Sequence, residues 1–459
     1  MDVSAARADR EIDAHARSTP WVAHLALFAL SFALRWSFAG GDFQGDESWY
    51  FYLSRSFGLE AAAQVDHPLF HIANRPLYYL TFHASTYAGL LGFRLFAALV
   101  GAFVPSLALL TARALGASLP SAGLMALGLT MQRQHLEYAV HGFPDLLATV
   151  LALAACWAAA RGRAWTTFAL STACVLCKES FVVVPALATF VRLHDDARRR
   201  PFDRAAWLTL TLPAIYVIGV TAISTWIEKI PLQGWSATPF DLKHAHNMWI
   251  GPMLWPFVGL LLWLRRFRAL AIWLALPLFY LAWSRGLGRG LAPWYSIGPS
   301  ALSAVALALV LDALRNELKR RNASPRVAAL GVFVVLLCVA SVPVMGALRV
   351  RAQLRSLSEF PRPRVAESVM ALLAQRRPQS VLLVNCFWSF GYSHLRAVDA
   401  PASRLYAGKA AEVYPAAHAA DLTIVCRDPN NAAMEHELGA RDLVTVLSDR
   451  QWLVLTPQR

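Results

Sequence analysis

Charge is what this chain has least of: 16% of its 459 residues are Asp, Glu, Lys or Arg, while 57% are hydrophobic. That balance excludes an ordinary soluble domain and a disordered chain, both of which need far more polar surface. Acids are scarcer still than bases, 29 against 43, which leaves a net charge of +14. The excess does not mark a nucleic-acid binder, because the Arg and Lys residues sit in short runs between apolar segments and form no stripe or patch. Cysteine is also sparse, at six residues. Cys174 and Cys177 form a CxxC with no second Cys or His pair nearby, which leaves no zinc-type ligand set, and they read with Cys156 and Cys338 as small packing residues in apolar segments. Cys386 and Cys426 fall in the C-terminal part, where a disulfide is neither required nor excluded. Repeats, low-complexity tracts and a cleavable signal peptide are lacking too. Residues 1–20 are polar, and the apolar stretch after them offers no small-residue cleavage site before Arg35, so it reads as a retained signal anchor.

What the chain has in abundance is long apolar runs. Crossing about 30 Å of hydrocarbon takes about 20 mainly apolar residues, fewer when neighbouring helices shelter the ends. Spans are predicted near 21–39, 92–112, 119–132, 143–160, 165–177, 180–193, 206–226, 250–264, 269–284, 295–314 and 326–347, eleven in all. The fifth and sixth are separated at Lys178 and Glu179, because one continuous helix would carry both charges at its centre, where each costs about 3 kcal/mol on insertion scales. With the N-terminus inside, the inner loops hold Arg161, Arg163, the run from Arg192 to Arg204, Arg265, Arg266, Arg268, and Arg315 to Arg326, whereas the outer loops are poor in base. This orientation puts the chain beyond residue 347 outside.

The texture changes near residue 348, where a basic, Pro-containing linker leads into an amphipathic helix. The short apolar runs 381–385, 421–426, 442–449 and 451–457 then read as strands between helical or loop segments. The expected architecture is thus a cytoplasmic N-terminal segment (1–20), a transmembrane domain (21–347) whose first outer loop covers 40–91, and a small extracytoplasmic α/β domain (348–459).

With that topology the unusual polar residues gather on the outer face: Asp46 and Glu47; His67, His71, Asn74 and Arg75; His135, Glu137, His141 and Asp145; Lys178 and Glu179; Arg285 and Arg289; Trp294 and Tyr295. The positive-inside rule accounts for the inner arginines but not for outer acids, histidines and isolated lysines. The first outer loop is rich in aromatics (SWYFYLSRSF, then HPLFHIANRPLYYLTFHASTY), as amphipathic helices lying in the interface would be, and equally as a solvent-facing loop with belt aromatics would be. Asp145 follows Gly-Phe-Pro at the start of a span, a place that also suits a helix cap. Lys178 is a compact cation suited to an anionic ligand, with an ion pair to Glu179 or snorkelling as the plainer roles. Arg285 and Arg289 lie on a Gly-rich loop whose backbone can approach a phosphate, or simply form a positive patch.

An Asp-Glu pair after the first span, an aromatic interfacial loop and Lys-Glu between two short spans occur in that order. With Arg94-Leu95 opening the second span, FPDLLATVLALAA, CKESFVVVPAL and APWYSIGPSALSAVALAL, the chain from 20 to 345 resembles the GT-C glycosyltransferases. The branch it resembles is the bacterial one similar to protein O-mannosyltransferases and the aminoarabinose transferase of lipid A. The resemblance implies a multi-pass protein of the bacterial inner membrane that uses a polyprenyl-phosphate-linked sugar donor and a lipid, glycan or protein acceptor. It also implies that Asp46 is the general base with Glu47 beside it, and that Lys178 with Arg289 or Arg285 contacts the donor phosphate. The family's basic or His residue before a Pro pair in the first loop is matched by His67-Pro68, and by Asn74 and Arg75 before Pro76, so that role is open among the three. Asp145, Glu179, His71 and Tyr295 are expected at the substrate, and no metal is expected, since no DxD-type cluster occurs. A carboxylate base with a phosphate leaving group fits single displacement, hence inversion. The competing readings are an oligosaccharide ligase or polymerase, and a transporter or flippase, whose charges would lie nearer the midplane.

Overall fold

The computed structural model describes residues 21–39, 47, 50–51, 68–82, 86–194, 202–227, 258–274, 297–320, 347–348, 351–352, 367–386, 402–405, 407–427, 432–448 and 452–458. The chain divides into two compact units, one made of Met1–Phe38, Asp66–Ile72 and Leu95–Leu354, the other of Ala39–Val65, Ala73–Arg94 and Arg355–Arg459.

The first unit is helical. Its described elements are α1 (Trp21–Trp36), the first residues of α2 (Pro68–Phe82), most of α3 (Thr86–Ala114), α4 (Leu119–Thr130), the short α5 (Arg133–Tyr138), α6 (Pro144–Ala160), α7 (Ala164–Cys177), a 3₁₀ turn (Glu179–Phe181), α8 (Val183–Leu193), α9 (Arg204–Ile227) and α10 (Ile297–Arg320). Two of these, over Ala88–Ala114 and Ile297–Arg320, are long and apolar enough to cross a membrane by length and composition, and α1, α4, α6, α7 and Arg204–Gly219 are shorter apolar helices. The expected break at Lys178 is present, as α7 stops at Cys177 and α8 begins at Val183. The second predicted span starts earlier than its hydropathy suggested, because α3 already runs from Thr86. The predicted span at 326–347 and parts of those at 250–264 and 269–284 lie outside the described residues.

Local chemistry explains the turns. After α3 and after α6 the chain reverses at Gly116 (φ 100°) and Gly162 (φ 75°), left-handed conformations that suit glycine. At the second, the Gly162 and Arg163 amides donate to the carbonyls of Ala159 and Ala158, both at 2.9 Å, closing the helix end. Pro144 opens α6, where its missing N–H costs nothing. The start of α4 is held by α10: Asp312 Oδ1 accepts from the hydroxyls of Ser118 and Ser121, each at 2.7 Å. The apolar seams carry small residues and stray polar bonds, such as Thr111 Oγ1 donating to the Leu153 carbonyl at 3.0 Å. Helix α10 is buried at nearly every position from Ile297 to Ala313, as a helix apolar all round must be.

In the second unit, α11 (Glu367–Arg376), β1 (Val381–Val384), β2 (Ala402–Leu405), α12 (Ala410–Ala419), β3 (Leu422–Cys426), α13 (Ala432–Gly439), β4 (Leu443–Ser448) and β5 (Trp452–Pro457) build an α/β layer. The five-stranded sheet has the order β2-β1-β3-β5-β4, parallel across β2-β1-β3 and antiparallel across β3-β5-β4. Strands β1 and β3 are buried at every residue, which requires cover on both faces. Val369 and Leu373 of α11 pack on Val381, Leu383 and Ile424, while Val413 of α12 and Leu438 of α13 pack on Leu382, Val384 and Val425. A disulfide joins Cys386 to Cys426 just past β1 and at the end of β3, with Cα atoms 5.1 Å apart.

Candidate active site

Of the residues the sequence nominates, Asp46, His67, Arg285, Arg289 and Tyr295 lie outside the described residues. The remaining seven fall in both units.

In the second unit, Glu47 is completely buried and both its oxygens are taken by Arg94, itself completely buried in α3. Arg94 Nε donates to Oε1 at 2.7 Å and Nη2 to Oε2 at 2.9 Å, the side-on bidentate geometry of a guanidinium and a carboxylate. The third direction is used as well, since Nη1 donates to the Ala39 carbonyl at 2.7 Å. Such a pair roughly offsets its own desolvation, whereas removing one partner strands a buried charge at a cost of about 3–5 kcal/mol. Phe51 and Phe93 meet edge to face beside it at 5.8 Å between centroids. On α2, Asn74 and Arg75 differ: Asn74 is buried with neither amide atom hydrogen-bonded among the described residues, and Arg75 is exposed.

In the first unit the α6–α7 hairpin brings three nominated residues together. The Cys177 thiol at the end of α7 donates to the Pro144 carbonyl at the start of α6, 3.4 Å away. Asp145 therefore begins α6 where Lys178 and Glu179 leave α7, and all three charges bear on Cys177. Asp145 and Lys178 are both buried. Lys178 is extended (φ −155°), its amide donating to the Cys174 carbonyl and its carbonyl accepting from the Phe181 amide, each at 3.0 Å. This pins the lysine at the junction between two helices, where neither helix continues through it. His71 and His141 are buried in the same unit.

Sequence reasoning placed His135 on the outer face but gave it no role, and missed Arg35. His135 is buried on α5, and its Nε2 lies 3.1 Å from the Ile297 carbonyl and 3.0 Å from the Ser300 hydroxyl. A carbonyl only accepts, so Nε2 carries the proton and Nδ1 is left as an acceptor with no partner among the described residues. Burial above all, then the charge of Arg35, pushes the imidazole down to about 3, against the Ile297 bond, so the ring is neutral at ordinary pH. Arg35 is completely buried in α1. Its Nη1 donates to the Ser31 carbonyl at 3.1 Å and to the Ser31 hydroxyl, while Nε and Nη2 have no partner among the described residues. The signal for it was a lone arginine inside WVAHLALFALSFALRW, an intramembrane charge of the kind that usually marks function. Among the described residues no group of three or more His, Cys, Asp or Glu side chains is arranged to hold a metal.

No protein-family model matches the chain, and no curated protein sequence matches it. Solved structures do. The crystal structure of ArnT from Cupriavidus metallidurans bound to undecaprenyl phosphate superimposes with a TM-score of 0.52 at 16% identity, covering 95% of this chain and 97% of that one. The apo structure of the same transferase gives a TM-score of 0.51 at 16% identity over the same shares. The chain therefore shares the fold of ArnT over nearly the full length of both proteins.

Proposed function

We propose that this protein is an inner-membrane glycosyltransferase that moves a sugar from a polyprenyl-phosphate carrier to an acceptor hydroxyl on the extracytoplasmic face, with inversion. The observation that carries the reading is the fold shared end to end with a transferase seen with undecaprenyl phosphate bound. Two further observations support the orientation. Disulfides persist in oxidising compartments, which suits a domain closed by Cys386–Cys426 lying outside the cytoplasm. Exposed aromatics, Trp165, Trp207, Trp263 and Phe267, stand within three residues of the arginines assigned to inner loops, as anchors at a membrane interface do.

In this reading the acceptor oxygen attacks the anomeric carbon while Asp46 takes its proton, and the polyprenyl phosphate departs with its charge met by Lys178 and by Arg285 or Arg289. Glu47 is a positioning residue: both its oxygens accept from Arg94, which anchors the chain next to Asp46. Asn74, whose buried amide has no hydrogen-bond partner among the described residues, is a candidate to meet a polar group of the substrate. Asp145 and Glu179 stand with Lys178 at the α6–α7 hairpin.

Purified protein given undecaprenyl-phosphate-linked radiolabelled sugar and a membrane acceptor fraction is expected to transfer label. Asp46→Asn is expected to slow transfer about 10²–10⁴-fold while still binding the lipid. Transfer at the wild-type rate in that variant would remove Asp46 as the base, and no transfer by the wild type from any polyprenyl-phosphate sugar would remove the reading itself.

A further inference from the structure

We infer that Arg35 is an oxyanion seat, its Nε/Nη2 edge taking a phosphate-class anion side-on inside the helical unit. A guanidinium meets two oxygens of one carboxylate or phosphate through Nε and Nη2, and Arg94 uses that edge on Glu47. Arg35 presents the same edge without a partner among the described residues: Nε and Nη2 are both buried and make no hydrogen bond there, while Nη1 is anchored on Ser31 and fixes the plane of the group. The position forbids leaving this unmet at no cost, because a buried cation in an apolar helix is costly unless paired and no carboxylate among the described residues pairs with it.

The surroundings favour an anion over an acidic side chain arriving from elsewhere in the fold. The stem of Arg35 lies against Gly101, where an added Cβ would stand 3.1 Å from Cδ, 3.1 Å from Nε and 3.1 Å from the Ala139 Cβ, so a larger residue there would push on the guanidinium. His135 is close enough to feel the arginine, is neutral, and adds a buried acceptor at Nδ1 that suits the P–OH of a singly ionised phosphate. A neutral acceptor beside a cation accommodates a protonated oxyanion, whereas a second cation there would repel the arginine and a carboxylate would fill its edge. The seat is separate from the α6–α7 junction that carries Lys178, since its residues come from α1, α3, α5 and α10.

The phosphate has two sources, the headgroup of a polyprenyl phosphate or free phosphate, and only the first rests on the donor reading above. The test measures binding of undecaprenyl phosphate, of undecaprenol and of inorganic phosphate to the full-length protein in detergent, together with the ligand-free Tm. The expected result is that wild type binds a phosphate-bearing probe but not undecaprenol. Arg35→Lys, which keeps charge and loses the fork, is expected to bind about tenfold more weakly, and Arg35→Met about 100-fold more weakly. The ligand-free Tm of Arg35→Met is expected to equal or exceed that of wild type, because an apolar side chain replaces an unpaired buried charge. A purely structural arginine would do the opposite, so a lower ligand-free Tm with unchanged phosphate affinity overturns the seat, as does a wild type that binds neither phosphate. Should Arg35→Met give no folded protein, Gly101→Ala decides: a several-fold loss of phosphate affinity with the fold intact supports the seat, and unchanged affinity overturns it. Binding of inorganic phosphate through Arg35 without undecaprenyl phosphate keeps the seat and removes the lipid donor; undecaprenyl phosphate binding indifferent to Arg35 does the reverse.

Discussion

Arg94 and Arg35 are both completely buried and both sit in apolar helices, yet they carry opposite lessons. Arg94 uses all three guanidinium nitrogens, two on the Glu47 carboxylate and one on a backbone carbonyl. Arg35 has one direction committed and a bidentate edge unused. Burial alone therefore says little about the purpose of a charge in this protein. What separates a brace from a binding group is whether the fold saturates it, because a saturated pair balances its desolvation and an unsaturated one leaves stability unrealised until a ligand arrives.

Breaking the saturated side of the comparison should have the largest effect. Arg94→Ala or Glu47→Ala leaves one buried charge alone and is expected to cost about 3–5 kcal/mol, read as a fall in thermal stability or as loss of extractable protein. Replacing both, with Glu47→Leu and Arg94→Met, should restore most of that stability, since an apolar pair of similar volume is often as stable as a buried ion pair. Transfer activity is expected to stay low in the double variant, because the anchor next to Asp46 is gone. A double variant as unstable as the singles would show that the pair contributes net stability beyond its own desolvation, and one with full transfer would deprive Glu47 of its positioning role.

How much of this could be read from residues alone follows the range of the interaction. The helix break at Lys178, the turn before Asp145, and strands β1, β3, β4 and β5 are all local patterns, and they stand within a few residues of where hydropathy put them. Strand β2 was missed because ASRL has one strongly apolar residue and pairs only at the sheet edge. The Glu47–Arg94 pair joins residues 47 positions apart, and no periodicity carries that information. Glu47 was nominated by its neighbour Asp46, and Arg94 only as part of a resemblance, so neither announced the other. Arg35 looked like the end of an apolar run, and its unused edge exists only once α1, α3 and α5 are assembled around it.

His135 sharpens the comparison from the unsaturated side. Its imidazole is held neutral down to about 3, first by burial and then by Arg35, whereas in the unfolded chain it takes a proton near 6.5. Below pH 6.5 the unfolded state therefore binds more protons than the folded one, and stability falls as the pH drops, by about 2 kcal/mol between pH 7 and pH 5. His135→Gln, which cannot titrate, should flatten that part of the Tm–pH curve. An oxyanion on Arg35 should flatten it as well, by screening the charge that disfavours the imidazolium. Curves identical with and without bound phosphate would argue that the two groups do not share a ligand.

The smallest effect is expected where the pair is saturated but wet. Asp203 caps α9, accepting from the Ala206 amide at 2.9 Å, and receives Arg192 Nη1 at 2.9 Å and Nη2 on its other oxygen. Arg192 above all, with the α9 amide adding to it, lowers the carboxyl to about 2. A carboxylate depressed in the folded state contributes its stability above the unfolded value near 4 and loses it as the pH falls toward 2, the acid limb opposite in cause to that of His135. Asp203 is 41% exposed, so solvent screening holds the ion-pair share below about 1 kcal/mol, and the cap adds about as much. Asp203→Asn keeps an N-cap and loses the charge, and is expected to lower Tm slightly at pH 7 while matching wild type near pH 2. High salt should erase the difference at pH 7, because exposed charges are screened within about 10 Å, whereas the Glu47–Arg94 pair, shut away from ions, should keep its full cost of disruption at every salt concentration.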